Sequence, residues 1–402
     1  MLIEFSVSNF RSFREKQTLS MVAAPRMRKR ENVFAAGAVG EKLPDLLKVA
    51  VIYGPNASGK SNLLKALHVV SLIADQKPAA NPALLPVSPF RFDSSLADQP
   101  SCFDLHFLRN GTRYQFEFSA TPERIITERL IAFPKGREKL LYSRQYQPDG
   151  EIYTFGDSLE GTPSLHETWQ ITTGSRSFFI TQAVANSSDA LQQLRVPFQW
   201  LSGAVVSLLD GMKVMAEASQ RVAREDADAA AELASFLQKV DVPVSRIKVM
   251  RAFGEPSASR TTLTHRSALG EADFLYEDES EGTKNLIGFW LPWITRGVSK
   301  TSSQCLLSVD ELDSSLHPKI VAALVAKHLT QEPPSQLLFT THDTHLMDVK
   351  LLRRDQFWIT ERDANGATKL RCIYEYEGRE SEDIEKRYYE GRYRGLPLLR
   401  RI

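Results

Sequence analysis

Cysteine is scarce: Cys102, Cys305 and Cys372 are the only three in 402 residues. An odd number at wide, irregular spacing does not make a disulfide scaffold, and no CxxC pair suggests a zinc site. The thiols read as buried or incidental ones in a reducing compartment. Charge of one sign is also missing. Fifty Lys+Arg stand against 49 Asp+Glu, a formal net charge of +1. No global field then draws the chain to nucleic acid or anionic lipid, and any DNA contact must be local. Long apolar runs are absent. Nowhere do about 18 consecutive apolar residues occur, which excludes a transmembrane helix. Glu4 and Arg11 interrupt the amino-terminal stretch before it reaches signal-peptide length. The expectation is a cytoplasmic protein without a membrane partner. What is present is ordinary for a globular chain, 42% hydrophobic and 25% charged. The length allows two or three domains, or one large domain with an insertion.

The first strand is predicted from the alternation of Ile3, Phe5 and Val7 with Glu4 and Ser6, followed by a turn at Asn9-Phe10-Arg11-Ser12-Phe13. The run LLKVAVIY, Leu46 to Tyr53, reads as a buried strand ending at a glycine, and Leu63, Leu64, Leu67 and Val70 fall on one helical face after it. Five prolines between residues 76 and 100 predict an irregular loop. Strands return at Phe103 to Phe107, Tyr114 to Phe118 and Ile125 to Phe133, with Asn110-Gly111 as a hairpin turn. Ala, Leu, Gln and Glu dominate from about Ser187 to Val240, which favours helices.

Beyond Val244 come the short strands SRIKVMRAF and FLYEDE, then a helix carrying Leu286, Ile287, Trp290, Leu291 and Ile294, with Pro292 expected to kink it. The strand Cys305 to Val309, a helix opened by Pro318, and the strand Gln336 to Thr341 complete an alternation that implies a parallel sheet. The expected class is α/β, with three parts. Residues 1–186 form the amino-terminal part with an antiparallel β lobe, 187–243 a helical insertion, and 244–402 the carboxyl-terminal part. Trp200, Trp290 and Trp293 are expected as core anchors rather than stacking platforms.

Gly54-Pro55-Asn56-Ala57-Ser58-Gly59-Lys60-Ser61 fits G-x-x-x-x-G-K-[ST] between a predicted strand and a predicted helix. Glycines let backbone N–H groups surround phosphate oxygens, and the helix N-terminus adds positive partial charge. Lys60 neutralises β/γ charge and Ser61 is placed to ligate Mg²⁺. Far downstream the strand LLSV runs into Asp310-Glu311. An Asp at a strand's carboxyl end suits Mg²⁺ or its water, and the adjacent Glu suits an attacking water. Glu279-Ser280-Glu281-Gly282-Thr283-Lys284 opens the Leu286 helix as a second anion site. His342 follows LLFTT, within reach of a terminal phosphate. His342-Asp-Thr-His345 has the look of a metal pair, but no third ligand converges in sequence. Arg26 to Arg30, and Arg392, Arg394, Arg400 and Arg401, are basic runs open to a phosphate backbone, an acidic partner or plain solvation.

In this order the motifs resemble the ABC-type ATPase heads of the RecF, SMC, Rad and OLD group, with SEGTK as signature loop, LLSVDE as Walker B, LDSSLHP as D-loop and Thr341-His342 as His switch. More narrowly, MLIEFSVSNFRSFREKQTLSMVA, ESEGTKNLIGF, DELDSSLHP, FTTHDTHLMD, RRDQFWITE and YYEGRYRGLP are similar to the prokaryotic RloA/AbiLi-type ATPases. The resemblance is thin between 135 and 240. It implies a P-loop NTPase head with a mixed or parallel sheet, ATP and Mg²⁺ as cofactors, and a homodimer with each ATP between Walker A of one subunit and the signature loop of the other. Carried over, Gly54 to Ser61 bind phosphate, Ser61 and Asp310 support the metal, Glu311 is the catalytic base, His342 senses γ-phosphate, and Ser280 and Gly282 act in trans. Arg11 matches an arginine near the nucleotide in relatives, with a surface salt bridge as its other reading. No Q-loop glutamine is evident, and Glu128 in ITERL is the candidate metal ligand in its place.

The function so implied is an ATP-switched regulator in prokaryotic anti-phage defence, acting on a separately encoded effector such as a nuclease. The alternative is a RecF-like DNA-maintenance ATPase that binds DNA; a transporter's nucleotide subunit fits the motifs least. OLD relatives carry a Toprim nuclease after the His switch. Only a short tail follows His342 here, without an Asp-x-Asp pair, and no H-E-x-x-H pattern occurs, so any nuclease is expected on another polypeptide.

Overall fold

The computed structural model describes residues 1–76, 83–209, 212–251, 259–298, 305–332 and 335–397. Pro78, the start of the AANPALLP stretch, the end of SRIKVMRAF, and Arg400 and Arg401 lie outside the described residues.

Alternating sequences build a seven-stranded antiparallel sheet. Its order is Gly150–Phe155, Lys139–Gln147, Arg124–Phe133, Thr112–Thr121, Ser101–Arg109, Leu2–Ser8, Gln17–Ser20. Phe5, Val7, Phe103, Leu105, Phe107, Phe116 and Phe118 fill one face, while polar residues such as Ser6 and Thr18 pair on the other at 2.8 Å. Asn110 and Gly111 take φ of 49° and 75°, the positive values that a tight hairpin turn requires at both central positions. Trp200 stacks on Phe107 with ring centroids 4.2 Å apart. Trp290 and Trp293 are buried as well, so all three indoles sit in the core.

Continuous apolar runs build the second sheet, in the order Val205–Leu208, Leu306–Val309, Gln336–Thr340, Val49–Tyr53, Phe357–Arg362, Thr368–Cys372. The first five strands are parallel and the last is antiparallel. Every residue of Val49–Tyr53, Leu306–Val309 and Gln336–Thr340 is buried, which parallel strands covered on both faces demand. The largest polar side chain among them, Gln336, is satisfied by the other sheet: its amide accepts from Leu2 N at 2.6 Å and donates to Leu2 O at 2.9 Å. Gln336 thereby links the two sheets, as does Leu370 N donating to Gln17 Oε1 at 2.8 Å.

The stretch 187–243 departs from the expected helical insertion. It contains the helices Arg195–Gly203, Lys213–Glu225 and Ala227–Lys239, but also Val205–Leu208, which pairs in parallel with the strand Leu306–Val309. Its first part therefore belongs to the core sheet. The later two helices pack with the helix Glu281–Val298 and a three-stranded sheet of Val244–Arg251, Ser259–Ser267 and Gly270–Leu275. Pro292 lies inside Glu281–Val298 and does not end it; Leu286, Ile287, Phe289, Trp290 and Trp293 hold that helix against the core. The molecule is a mixed α/β fold with an antiparallel lobe. Among the described residues no helix is long and apolar enough to cross a membrane.

Candidate functional site

The strand Val49–Tyr53 delivers the chain to Gly54 at φ 150°, and Gly59 at φ 102° passes it to the helix Lys60–Ala74. Both glycines are required by space as well as backbone angle. A Cβ on Gly54 would lie 2.3 Å from Thr360 Oγ1, and one on Gly59 would lie 2.1 Å from Thr368 Oγ1. Pro55, Asn56 and Ala57 arch over the loop, Ala57 at φ 61°, with Asn56 and Ala57 exposed and Ser58 buried. Lys60, 6% exposed, donates from Nζ to Gly54 O at 2.9 Å and Pro55 O at 3.3 Å. Ser61 is half-buried in the helix's first turn. A helix N-terminus, a buried ammonium and a hydroxyl thus meet at one point, the donor set of a phosphate site.

The Walker B strand Leu306–Val309 ends beside this loop. Thr340, fully buried at the end of its own strand, gives its hydroxyl proton to Asp310 Oδ1 at 2.6 Å and accepts the Glu311 N–H at 2.8 Å. One hydroxyl therefore orients both carboxylate residues. Glu311 has φ 50°, a left-handed conformation that turns its exposed side chain out of the strand. Asp313 Oδ2 accepts the His342 N–H at 3.2 Å, while its Oδ1 is buried without a hydrogen-bond partner. Burial lowers the Lys60 pKa, against the pull of Asp310, Glu311 and Asp313. Burial and then Lys60 lower the His342 pKa, opposed by the same three carboxylates. Lys60, Asp310, Glu311, Asp313 and His342 form one electrostatic cluster.

For Mg²⁺ the cluster offers hard oxygen donors: the Ser61 hydroxyl, the second oxygen of Asp310 and the orphaned Asp313 Oδ1. That chemistry fits the ion. Among the described residues no three His, Cys, Asp or Glu side chains converge as a ready-made cage, so phosphate oxygens and water would complete its shell. His345 Nδ1 meets Asp343 Oδ1 at 2.8 Å, a neighbour in its own turn.

Ser280 and Gly282 are placed elsewhere. Ser280 caps the helix Glu281–Val298, its Oγ accepting from Thr283 N at 3.2 Å. In the same chain this loop packs on the D-loop: Asn285 Nδ2 donates to Ser314 O at 3.0 Å, and a Cβ on Gly282 would lie 2.6 Å from Ser315 O. A cleft of about 990 Å³ beside it is lined by Glu281, Lys284 and Asn285 together with Lys213, Glu217 and Arg221.

Two expected residues stand apart from the cluster. Arg11, at φ 50° and exposed, places its guanidinium 5.6 Å from the Phe10 ring centroid; from the same turn Ser12 reaches Asn62, in the helix that follows the P-loop, and Thr368. Glu128 is overturned as a metal ligand. It is fully buried, accepting from Tyr142 OH at 2.6 Å, Phe179 N at 2.8 Å and Ile180 N at 3.3 Å, with Arg144 at 3.7 Å. Burial pushes its carboxyl up from the ordinary value, against Arg144 and these donors. The adjacent Thr181 bonds Ala74 O, the far end of the helix that Lys60 begins. Ser61 is therefore about 20 Å away at 1.5 Å per residue. Thr340, Thr360, Thr368 and Ser12 are the site residues that motif reading missed, because threonine in a strand carries no spacing signal.

A family model described as "AAA domain, putative AbiEii toxin, Type IV TA system" matches residues 49–164 and 185–348. The matched stretches contain Gly54 to Ser61, Ser280, Gly282, Asp310, Glu311 and His342. Among solved structures the chain is similar to the SmcHead bound to the C-winged helix domain of ScpA, at 14% identity and TM-score 0.46, covering 96% of this chain and 99% of that one. It is also similar to the SMC head domain from Thermotoga maritima, at 14% identity and TM-score 0.39, covering 92% and 98%. No curated protein matches.

Proposed function

The chain belongs to this AAA domain family, and on that footing we propose that it is a Mg²⁺-dependent ATP hydrolase of the ABC type, working as a head-to-head homodimer. The observation that carries the reading is the convergence of Lys60, Asp310, Glu311, Asp313 and His342 beside a glycine loop and a helix N-terminus. In this mechanism the loop N–H groups and Lys60 would hold the phosphates, and Ser61 and Asp310 would hold Mg²⁺. When bound, the ion would supply charge neutralisation to the phosphates. Glu311, free of the strand and exposed, takes the proton of the attacking water. His342, whose pKa burial and then Lys60 lower, would donate a hydrogen bond to the γ-phosphate. Ser280 and Gly282, held on their own D-loop, reach the nucleotide of the second copy.

On this engine we place an ATP-switched regulator of prokaryotic anti-phage defence that acts on a separately encoded effector, with a nuclease as the leading class. The family description, with its toxin and Type IV system, supports that setting. The test of the trans arrangement is complementation. Lys60→Ala and Ser280→Arg chains, each inactive alone, should regain partial ATPase activity when mixed, because one of the two sites is then intact. A mixture that stays inactive although heterodimers form overturns the arrangement with independently firing sites.

A further inference from the structure

A cluster of hydroxyls lies beneath the P-loop. Thr368 Oγ1 lies 2.8 Å from Ser58 O and 2.8 Å from Ser12 Oγ. A carbonyl only accepts, so Thr368 is the donor to Ser58 O, and its one proton is shared between that carbonyl and Ser12 Oγ. Ser12 Oγ also accepts Asn62 Nδ2 at 2.8 Å. Asn62 and Thr368 thus converge on the Ser12 hydroxyl, and Thr368 reaches the Ser58 carbonyl. Thr368 N also donates to Ser12 O at 2.8 Å, so the two residues are bound by backbone and side chain together. The same logic applies at the loop's other end. Thr360 Oγ1 gives its proton to Tyr53 O at 3.1 Å, and Ser58 Oγ donates to Thr360 at 2.6 Å. Ser58, Thr360 and Thr368 are all buried.

We propose that Thr368, backed by Ser12 and Asn62, is the positioning residue that aims the Gly59 N–H at bound polyphosphate. A trans peptide is planar, with its C=O and N–H pointing opposite ways. Holding the Ser58 carbonyl against Thr368 turns the Gly59 N–H away from Thr368, toward the open side of the loop. That amide has no protein acceptor among the described residues, whereas Ser58 N is used by Pro55 O at 3.3 Å. The glycine at 59 is then required twice: for its positive φ, and because a Cβ would occupy the space of Thr368 Oγ1. Ser12 belongs to the antiparallel lobe and Thr368 to the edge of the parallel sheet, so the latch sets the loop from the seam between them. The inference rests on nucleotide binding by residues 54–61.

The test is equilibrium titration of the full chain with ATP, ADP and adenosine. Thr368→Val should weaken ATP and ADP about tenfold, leave adenosine unchanged, and raise KM more than it lowers kcat. Thr368→Ser should restore binding, because it returns the hydroxyl alone. Ser12→Ala should have a smaller effect, since the Thr368 proton still reaches Ser58 O. Thr368→Ala, which sets no methyl against Ser12, answers the same question if the Val chain does not fold. Folded Val or Ala chains that bind ATP as the wild type does, or a folded Ser chain as weak as Val, overturn the latch. ATP affinity undiminished in Lys60→Ala would instead overturn nucleotide binding by this loop.

Discussion

Replacing Glu128 by Gln separates a structural carboxylate from a metal ligand. The side chain receives one hydroxyl and two backbone N–H groups and lies 3.7 Å from the Arg144 guanidinium, all fully buried. Removing one member of a buried ion pair costs about 3–5 kcal/mol in general. Two features reduce that here. Arg144 keeps Glu151 at 2.5 Å and the carbonyls of Ser177 and Gly174 at 2.8 and 3.1 Å, and burial already penalises the ionised Glu128. The loss should be about 2 kcal/mol, a fall in Tm of about 3 °C for a chain of this size. Thermal unfolding of the nucleotide-free protein reads that shift, and ATPase assays across Mg²⁺ concentrations should give the wild-type requirement. An unchanged Tm with an increased Mg²⁺ requirement would refute the reasoning and return Glu128 to the metal.

Glu311→Gln should retain ATP affinity and slow turnover by about 10²–10⁴-fold, because an amide does not take the proton from water; isothermal titration beside steady-state assays checks both halves. The His342 imidazole should titrate below 6.5 by NMR, and Lys60→Ala should raise its midpoint by removing a neighbouring cation. A lowered folded value means that the native state binds fewer protons than the unfolded chain just below pH 6.5. His342 should therefore reduce stability as pH falls through that window, and His342→Ala should flatten the slope of Tm against pH. Gly282→Ala forces a Cβ to 2.6 Å from the Ser315 carbonyl. It should cost about 1–3 kcal/mol of stability by overpacking and slow hydrolysis while leaving ATP affinity of the single chain intact.

The P-loop was legible because its information is local: a buried strand, two glycines and a helix stripe lie within one short stretch, and the structure has Val49–Tyr53 and Lys60–Ala74 on either side. The aromatic hairpins were legible for the same reason, through period-2 alternation and Asn110-Gly111. The edge strand Val205–Leu208 was not. Its four residues lie among helix formers, and what makes them a strand is a partner at Leu306–Val309, far away in sequence. Glu128 was misplaced because a carboxylate in ITERL looks the same whether its strand faces a metal or a helix N-terminus; Phe179 and Arg144 decide it. Thr340, Thr360 and Thr368 orient the site through single hydroxyls whose acceptors are carbonyls or carboxylates from other segments. Such pairings follow from register, which residue types alone do not specify.

The central sheet's strand order also dictates when the protein becomes whole. Val49–Tyr53 leaves the ribosome early, yet the strands on its two sides are Gln336–Thr340 and Phe357–Arg362. On the order of 280 residues must follow before the first neighbour exists, roughly a quarter of a minute to a minute of synthesis at 5–20 residues per second. Throughout that interval a fully apolar strand has both edges open, the condition under which nascent chains pair wrongly with one another. The antiparallel lobe is different, since the run from Ser101 to Phe155 closes by successive hairpins as it emerges. A growing chain of this protein therefore holds a folded lobe beside an unprotected apolar strand, and its need for chaperones should be concentrated between those two events.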